Sequence, residues 1–469
     1  MKLKSIFSNS FGILLSRITG LGRNTLLAMT LGATGYSDMF VVAFKLANMF
    51  RRIFAEGAFT QAFMPSFVDA KQKGVFATAI FLRFMLFIVA ISLVVTFFPE
   101  ILTKLLVWNW TDEKIAQTAP FTAINFWYLD LIFMVTFMGT LLQYKEHFIT
   151  TAMSTALLNI SMIMALYFFM NDDPKTILYA LSFSVLIGGM LQVITHVIAL
   201  KKFNMLRLLI GGWKYRNKKD VTEEKKKFTK LFVPSVWGNS APQFASYLDT
   251  FLASFLIASG SISYLFYANL LFQLPLGLIA IATASALFPS ISKALSRGDE
   301  QDAYSNLAKA FWLLAFLLGL SAIGGIIFAE PIVWLLFEYG RFTPAMTTNT
   351  ANVLTMYMIG LLPYGFAKLF SMFLYASHRH NKAAKIATIA LVVNMILSLI
   401  LMQFMGAMGL ALAGSMGGWT LFILTVKEVG FTRFTAILKD KKLLYLILIL
   451  VIATIIFYYI NQFLIGWIR

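Results

Sequence analysis

Run after run of apolar residues, each long enough to cross a bilayer, limits what this chain can become more than any other feature. A spanning helix needs about 20 mostly apolar residues. By that measure helices are expected at 6–31, 36–66, 76–99, 115–143, 147–170, 174–200, 230–258, 262–292, 304–329, 346–376, 382–402, 406–427 and 442–460, about thirteen in all. Hydrophobic residues fill 59% of the 469 positions and charged ones 13%, outside the range of soluble domains. The expected class is all-α, a polytopic membrane protein.

The connections orient these spans. Basic residues gather at Lys2 and Lys4, Lys71 and Lys73, Lys145 and His147, 201–230, Lys293 and Arg297, 378–385 and 427–442, all on one side of the membrane. The alternate loops, 31–36, 100–114, 171–175, 258–262 and 403–406, are neutral, mixed or acidic. Since positive loops stay cytoplasmic, the N-terminus is expected inside and Arg469 outside. The stretch KKFNMLRLLIGGWKYRNKKDVTEEKKKFTK at 201–230 is the one long charged connection. It reads as a solvated linker or as an amphipathic surface helix on anionic lipid. The expected organisation is an N-lobe at 1–200, a basic linker at 201–229, a C-lobe at 230–428 and one extra helix within 429–469.

With no cysteine, disulfides and thiolate metal sites are excluded, and four scattered histidines suggest no metal centre. The net charge of +18 would suit nucleic acid only on a soluble basic face, and most Lys and Arg lie between apolar runs instead. MKLKSIFSNS leads into an apolar helix without a small-residue cleavage site, so no cleaved signal is expected. No carboxylate cluster or histidine constellation points to an enzyme, and no cofactor is expected.

Shifting the second half over the first by 224 residues sets Ala62, Pro65 and Ser66 against Ala286, Pro289 and Ser290. The spans ahead of both sites share a direction, so the halves read as parallel repeats, an arrangement that suits alternating access with the site between lobes. Charge breaks the repeat. Arg51, Arg52 and Glu56 face Pro275, Leu276 and Ala280, and Lys45 faces Asn269.

On the second span, drawn as an unbroken helix, Asp38, Lys45, Asn48, Arg52 and Glu56 fall within about an 80° arc, with Arg51 about 100° from Arg52. In the first span Arg17 and Arg23 bracket Gly20 and Gly22, glycines that permit bending. A charge at the bilayer centre costs from about 3 kcal/mol upward, so this many cations do not face lipid. Some pair with acids, as Arg52 with Glu56 or Asp38 with Lys45 or Arg23. The rest leave a cationic surplus, and arginine's planar fork suits phosphate oxygens. The plainer reading makes the arginines interhelical salt bridges, carbonyl caps or headgroup anchors.

The run SRITGLGRNTLLAMTLGATGYSDMFVVAFKLANMFRRIFAEGAFTQAFMPSF resembles the N-terminal signature of the MurJ (MviN) family, bacterial lipid II flippases of the multidrug/oligosaccharidyl-lipid/polysaccharide exporter superfamily. The likeness continues through ASGSISYLFYANLLFQLPLGLIAIATASALFPSIS and LLFEYGRFTPAMTTNTANVLTMYMIGLLPYGFAKLFSMFLYA, to about residue 425. It implies a monomer in the bacterial inner membrane that carries the undecaprenyl-pyrophosphate-linked disaccharide-pentapeptide to the outer leaflet. It assigns Arg17, Arg23 and Arg51 to the family's cavity arginines, Asp38 to its motif aspartate, and Arg52 and Glu56 to its RRxFAEG motif. Two departures stand out. The family's eighth-helix arginine is replaced in YANLL by Asn269 and Leu270, with Lys368 as candidate substitute, and one extra helix stands where many members have two. Asn24 occupies a place where an acid is often found, and Asp249 is a lone acid that could hold a cation or proton. The rival reading is an O-antigen-type flippase or a drug exporter of the same superfamily, although drug exporters favour acidic cavities.

Overall fold

The computed structural model describes residues 3–52, 58–256, 258–377 and 379–468, apart from the side chains of 3–11, 13, 237–246, 285, 467 and 468. Among these residues every regular element is helical. The first ten are α1 (Leu3–Leu31), α2 (Gly35–Phe50), α3 (Ala58–Asp69), α4 (Lys73–Phe97), α5 (Pro99–Leu106), α6 (Asp112–Phe126), α7 (Tyr128–Tyr144), α8 (Ile149–Phe169), α9 (Pro174–Lys202) and α10 (Met205–Tyr215). The next ten are α11 (Thr222–Ala253), α12 (Ser261–Pro275), α13 (Ala282–Ser296), α14 (Glu300–Ile327), α15 (Ala329–Phe337), α16 (Pro344–Met358), α17 (Leu361–Ala376), α18 (His380–Met405), α19 (Ala407–Val429) and α20 (Phe431–Leu438), followed by α21 (Lys442–Ile468).

Ten of the described helical stretches are long and apolar enough to cross a membrane. The other three expected spans fall on α1, α2 with α3, and α11. α1 carries Arg17 and Arg23, and the α11 span carries Asn239, Gln243 and Asp249, polar residues that dilute the apolar run, while α2 and α3 are each too short to cross alone.

The second expected span, 36–66, is not one helix. α2 ends at Phe50, a π-helical turn carries Arg51 and Arg52, and α3 begins at Ala58. A π turn closes i→i+5 bonds and resets the angular register, so the single polar arc drawn from Asp38 to Glu56 holds only as far as Asn48. Glu56 itself lies outside the described residues. The second half repeats the device. A π-helical segment, Leu276–Ile281, separates α12 from α13, and α13 starts 224 residues after α3. The whole order of elements recurs, with short α5, α10, α15 and α20 in equivalent places and α21 added at the end.

By packing, the chain forms two compact units, Met1–Ile257 and Ala258–Arg469. In the first, α1 lies along α8 and turns into α2 at Gly32, whose φ of +64° suits a residue without a Cβ. Gly12 brings α1 against α8 so closely that a Cβ would stand 2.8 Å from that of Ala152. The core is aromatic. The Phe59 ring centroid lies 5.1 Å from Phe63, 5.3 Å from Phe133, 5.5 Å from Phe84 and 5.9 Å from Phe228, tying α3, α4, α7 and α11 together. Such rings contribute beyond the area they bury.

The 201–230 segment is largely helical, with a short turn at 216–221 between α10 and α11. α10 crosses the start of α4 at a glycine pair, Gly74 and Gly212, and the Thr78 hydroxyl donates to the Leu209 carbonyl at 3.2 Å. Its free face exposes Ile210, Trp213 and Tyr215, with the Arg216 guanidinium 3.9 Å above the Trp213 ring. Lys227, in the first turns of α11, pairs with Asp69 at the end of α3 and holds that carboxyl below the usual carboxylate range. In the second unit α21 lies along α14, with Leu450 facing Gly319 and Phe457 facing Gly324.

Candidate anion-binding site

Arg23 is held by amides. Its Nε and Nη2 donate to Asn24 Oδ1 at 3.2 and 2.9 Å, and its Nη1 donates to Asn159 Oδ1 on α8 at 3.0 Å. Asn159 is fixed in turn, since its Nδ2 donates to the Ser16 carbonyl and to Thr19 Oγ1, both at 3.1 Å. These two amides orient the guanidinium and add no charge of their own. Asn24 and Asn159 are buried while Arg23 is half-buried, so the cradle is internal and the cation stands at its edge.

Arg17 lies on the same helix, exposed. α1 runs unbroken through Gly20 and Gly22; Gly20 faces the Asn159 amide, and a Cβ added at Gly22 would meet no neighbouring element within 4 Å.

On α2, Asp38 is 2% exposed in the first turn. Lys114 on α6, seated 3.7 Å over the Trp110 ring, lies within electrostatic reach of it. Further along, the half-buried Lys45 donates to the Thr250 hydroxyl on α11 and lies within electrostatic reach of Asp249 and Arg52. Asn48 turns its Nδ2 back to the Phe44 carbonyl at 3.2 Å. Arg51 caps α2, half-buried, with its backbone N–H on the carbonyls of Ala47 and Asn48, and Arg52 is exposed. The structure therefore gathers Lys45, Arg52, Asp249 and Thr250, and separately Arg23, Asn24 and Asn159.

Asp249 is exposed beside the buried Thr250. Among the described residues no group of three or more His, Asp or Glu could hold a metal ion. In the second unit Lys368 is exposed on α17, and Asn269, at the position matching Lys45, accepts from Gln273. Asn159 and Thr250 went unmarked in the sequence. Each is a polar residue inside an apolar run, visible as such, but its partner lies more than a hundred positions away.

The family profile described as lipid II flippase MurJ matches residues 27–468. The chain belongs to the MurJ family. A probable lipid II flippase MurJ of Helicobacter pylori is 47% identical over 442 residues, covering 92% of this chain and 95% of that protein. The lipid II flippase MurJ of Burkholderia cenocepacia is 33% identical, covering 86% of this chain and 79% of its own. A solved MurJ structure in an inward closed conformation superposes with a TM-score of 0.78 at 26% identity, over 98% of this chain and 99% of that one. An inward-facing multidrug MATE transporter shares the fold at TM-score 0.69 and 12% identity, covering 93% of this chain and 99% of its own.

Proposed function

We propose that this chain flips lipid II, the undecaprenyl-pyrophosphate-linked peptidoglycan precursor, from the inner to the outer leaflet of the bacterial cytoplasmic membrane by alternating access, and that it does so as a monomer without bond-making chemistry. The pyrophosphate is received by Arg17, Arg23 and Arg51, with Arg52, Lys45 and Asn48 lining the approach, Asp38 and Glu56 trimming the positive charge, and Lys368 standing in for the absent eighth-helix arginine. Gly20 and Gly22 let α1 bend during the cycle. In sequence the two repeats run 1–200 and 230–428, joined by 201–229 and followed by the helix within 429–469, while in packing α11 joins the first unit. The N-terminus faces the cytoplasm and the C-terminus the outside; a reporter fused after Arg469 is expected to be active only when exported.

The observation that carries this reading is the cradle around Arg23. A buried pair of amides, one on α1 and one on α8, holds the guanidinium in a fixed direction at the edge of the cradle, and a planar donor fork fixed in this way suits phosphate oxygens. Asn159→Asp tests this directly. A carboxylate at that position pairs with the guanidinium, so lipid II affinity is expected to fall roughly tenfold, in line with the 1.5–3 kcal/mol of a charge-assisted bond. Equilibrium binding of purified protein to lipid II, compared with undecaprenyl phosphate, measures it. Wild-type affinity in a folded Asn159→Asp protein would overturn the assignment of Arg23 to the site.

A further inference from the structure

Away from the arginines of α1 and α2, the first unit holds a second basic recess. A cavity of about 720 Å³ opens between α4 and the first three turns of α11, lined by Arg83, Thr222, Lys225, Lys226, Thr229 and Lys230. The α11 residues fall at spacings of three and four, so they share one face of the helix. Lys226 is paired with Glu223 at 2.9 Å, whereas Arg83, Lys225 and Lys230 have no ion pair among the described residues. The Thr222 hydroxyl donates to Asp220 at 2.6 Å and the Thr229 hydroxyl to the Lys225 carbonyl at 3.0 Å, so the groove's donors are its three cations, a set suited to phosphate oxygens.

The groove is preformed. Immediately beside Arg83, the Phe84 ring packs edge-on against Phe228 at 5.5 Å and Phe232 at 4.9 Å, and those two stack on each other at 5.5 Å. This seam fastens α4 to α11 and holds the cations at their spacing against mutual repulsion.

One end of the groove is polar and the other is greasy. Val233 and Pro234 close it along α11. One turn beyond Arg83 on α4, Leu86 is 74% and Phe87 51% exposed. Toward the other end of α4, α10 crosses the helix and exposes Trp213 with Arg216 over its ring, the amphipathic pattern of a membrane interface. A phosphate seated among Arg83, Lys225 and Lys230, with chains running over Leu86, Phe87 and Val233, has the shape of an amphiphile rather than of a free ion or nucleotide. We propose that this groove is a binding site for an anionic phospholipid of the bilayer, distinct from the transport site.

Native mass spectrometry of the purified full-length protein in detergent, titrated with dioleoylphosphatidylglycerol, dioleoylphosphatidylcholine, glycerol 3-phosphate or inorganic phosphate, tests it. Phosphatidylglycerol is expected to be retained several-fold over phosphatidylcholine, and R83Q/K230Q to lose roughly tenfold of that retention. Arg23→Ala should retain phosphatidylglycerol as wild type does, separating the groove from the transport site. Equal retention of the two lipids, or wild-type retention by the folded double variant, overturns the proposal. Soluble phosphates that bind as well as phosphatidylglycerol also overturn it in favour of a free anion. If the double variant does not elute monodisperse, K225Q takes its place, with a loss of roughly threefold expected and an unchanged affinity refuting the site.

Discussion

Replacing Arg23 or Arg51 by Ala is expected to abolish lipid II flipping while the chain still inserts and folds. Each arginine offers a planar donor fork to the pyrophosphate, and each charge-assisted bond contributes about 1.5–3 kcal/mol. Loss of a bidentate contact therefore costs on the order of 100-fold in affinity, and more in rate if the contact tightens as the headgroup crosses. The structural cost of Arg23→Ala is smaller. It leaves Asn24 and Asn159 with unfilled acceptors at the edge of the cradle, worth about 1–3 kcal/mol. Arg23→Lys keeps the charge without the fork and should fall between. Complementation of a strain depleted of its lipid II flippase reads activity, and membrane abundance reads insertion. Full complementation by both alanine variants would remove these residues from the transport site.

Gly212→Val is expected to detach α10 from α4. A Cβ at Gly212 would stand 2.1 Å from the Gly74 carbonyl oxygen and 2.5 Å from the Thr78 hydroxyl, and a Cβ at Gly74 would stand 2.5 Å from the Leu208 carbonyl. Two of these three neighbours are backbone, so they cannot swing aside. Overpacking of this kind costs about 1–3 kcal/mol, and here it removes an entire helix contact. Thermal unfolding in detergent should fall by several degrees, roughly the shift such an energy gives, and protease should cut within 201–221. Gly211→Ala is the matched control. Nothing lies within 4 Å of the Cβ it adds, so it should be neutral or slightly stabilising. Equal protease resistance in Gly212→Val and wild type would show that the glycine contact does not hold α10.

Much of the architecture was written in composition, because a spanning helix needs apolar side chains along its whole length and its loops need charge. The repeat was legible from Pro65 and Pro289, which both lie inside helices at the same offset. The break after Phe50 was not. Apolar residues continue on both sides of RRIFAEG, and hydropathy does not distinguish an i→i+5 turn from an i→i+4 one. The site was half legible. Arg23 stood out as a cation in an apolar run, but its holder, Asn159, is 136 residues away, and only packing of α1 on α8 brings them together. Lys114 was missed as the neighbour of Asp38 for the same reason.

The placement of α11 decides where this polypeptide can be cut in two. Its counterpart α1 packs on α8, yet α11 packs on α3, and its Thr250 hydroxyl accepts from Lys45. Half-genes divided at the linker ahead of α11 would strand that helix with the wrong fragment and leave the Phe59 cluster without Phe228. Half-genes divided between 257 and 258 respect the compact units, so fragment complementation is expected to rescue only with the later junction.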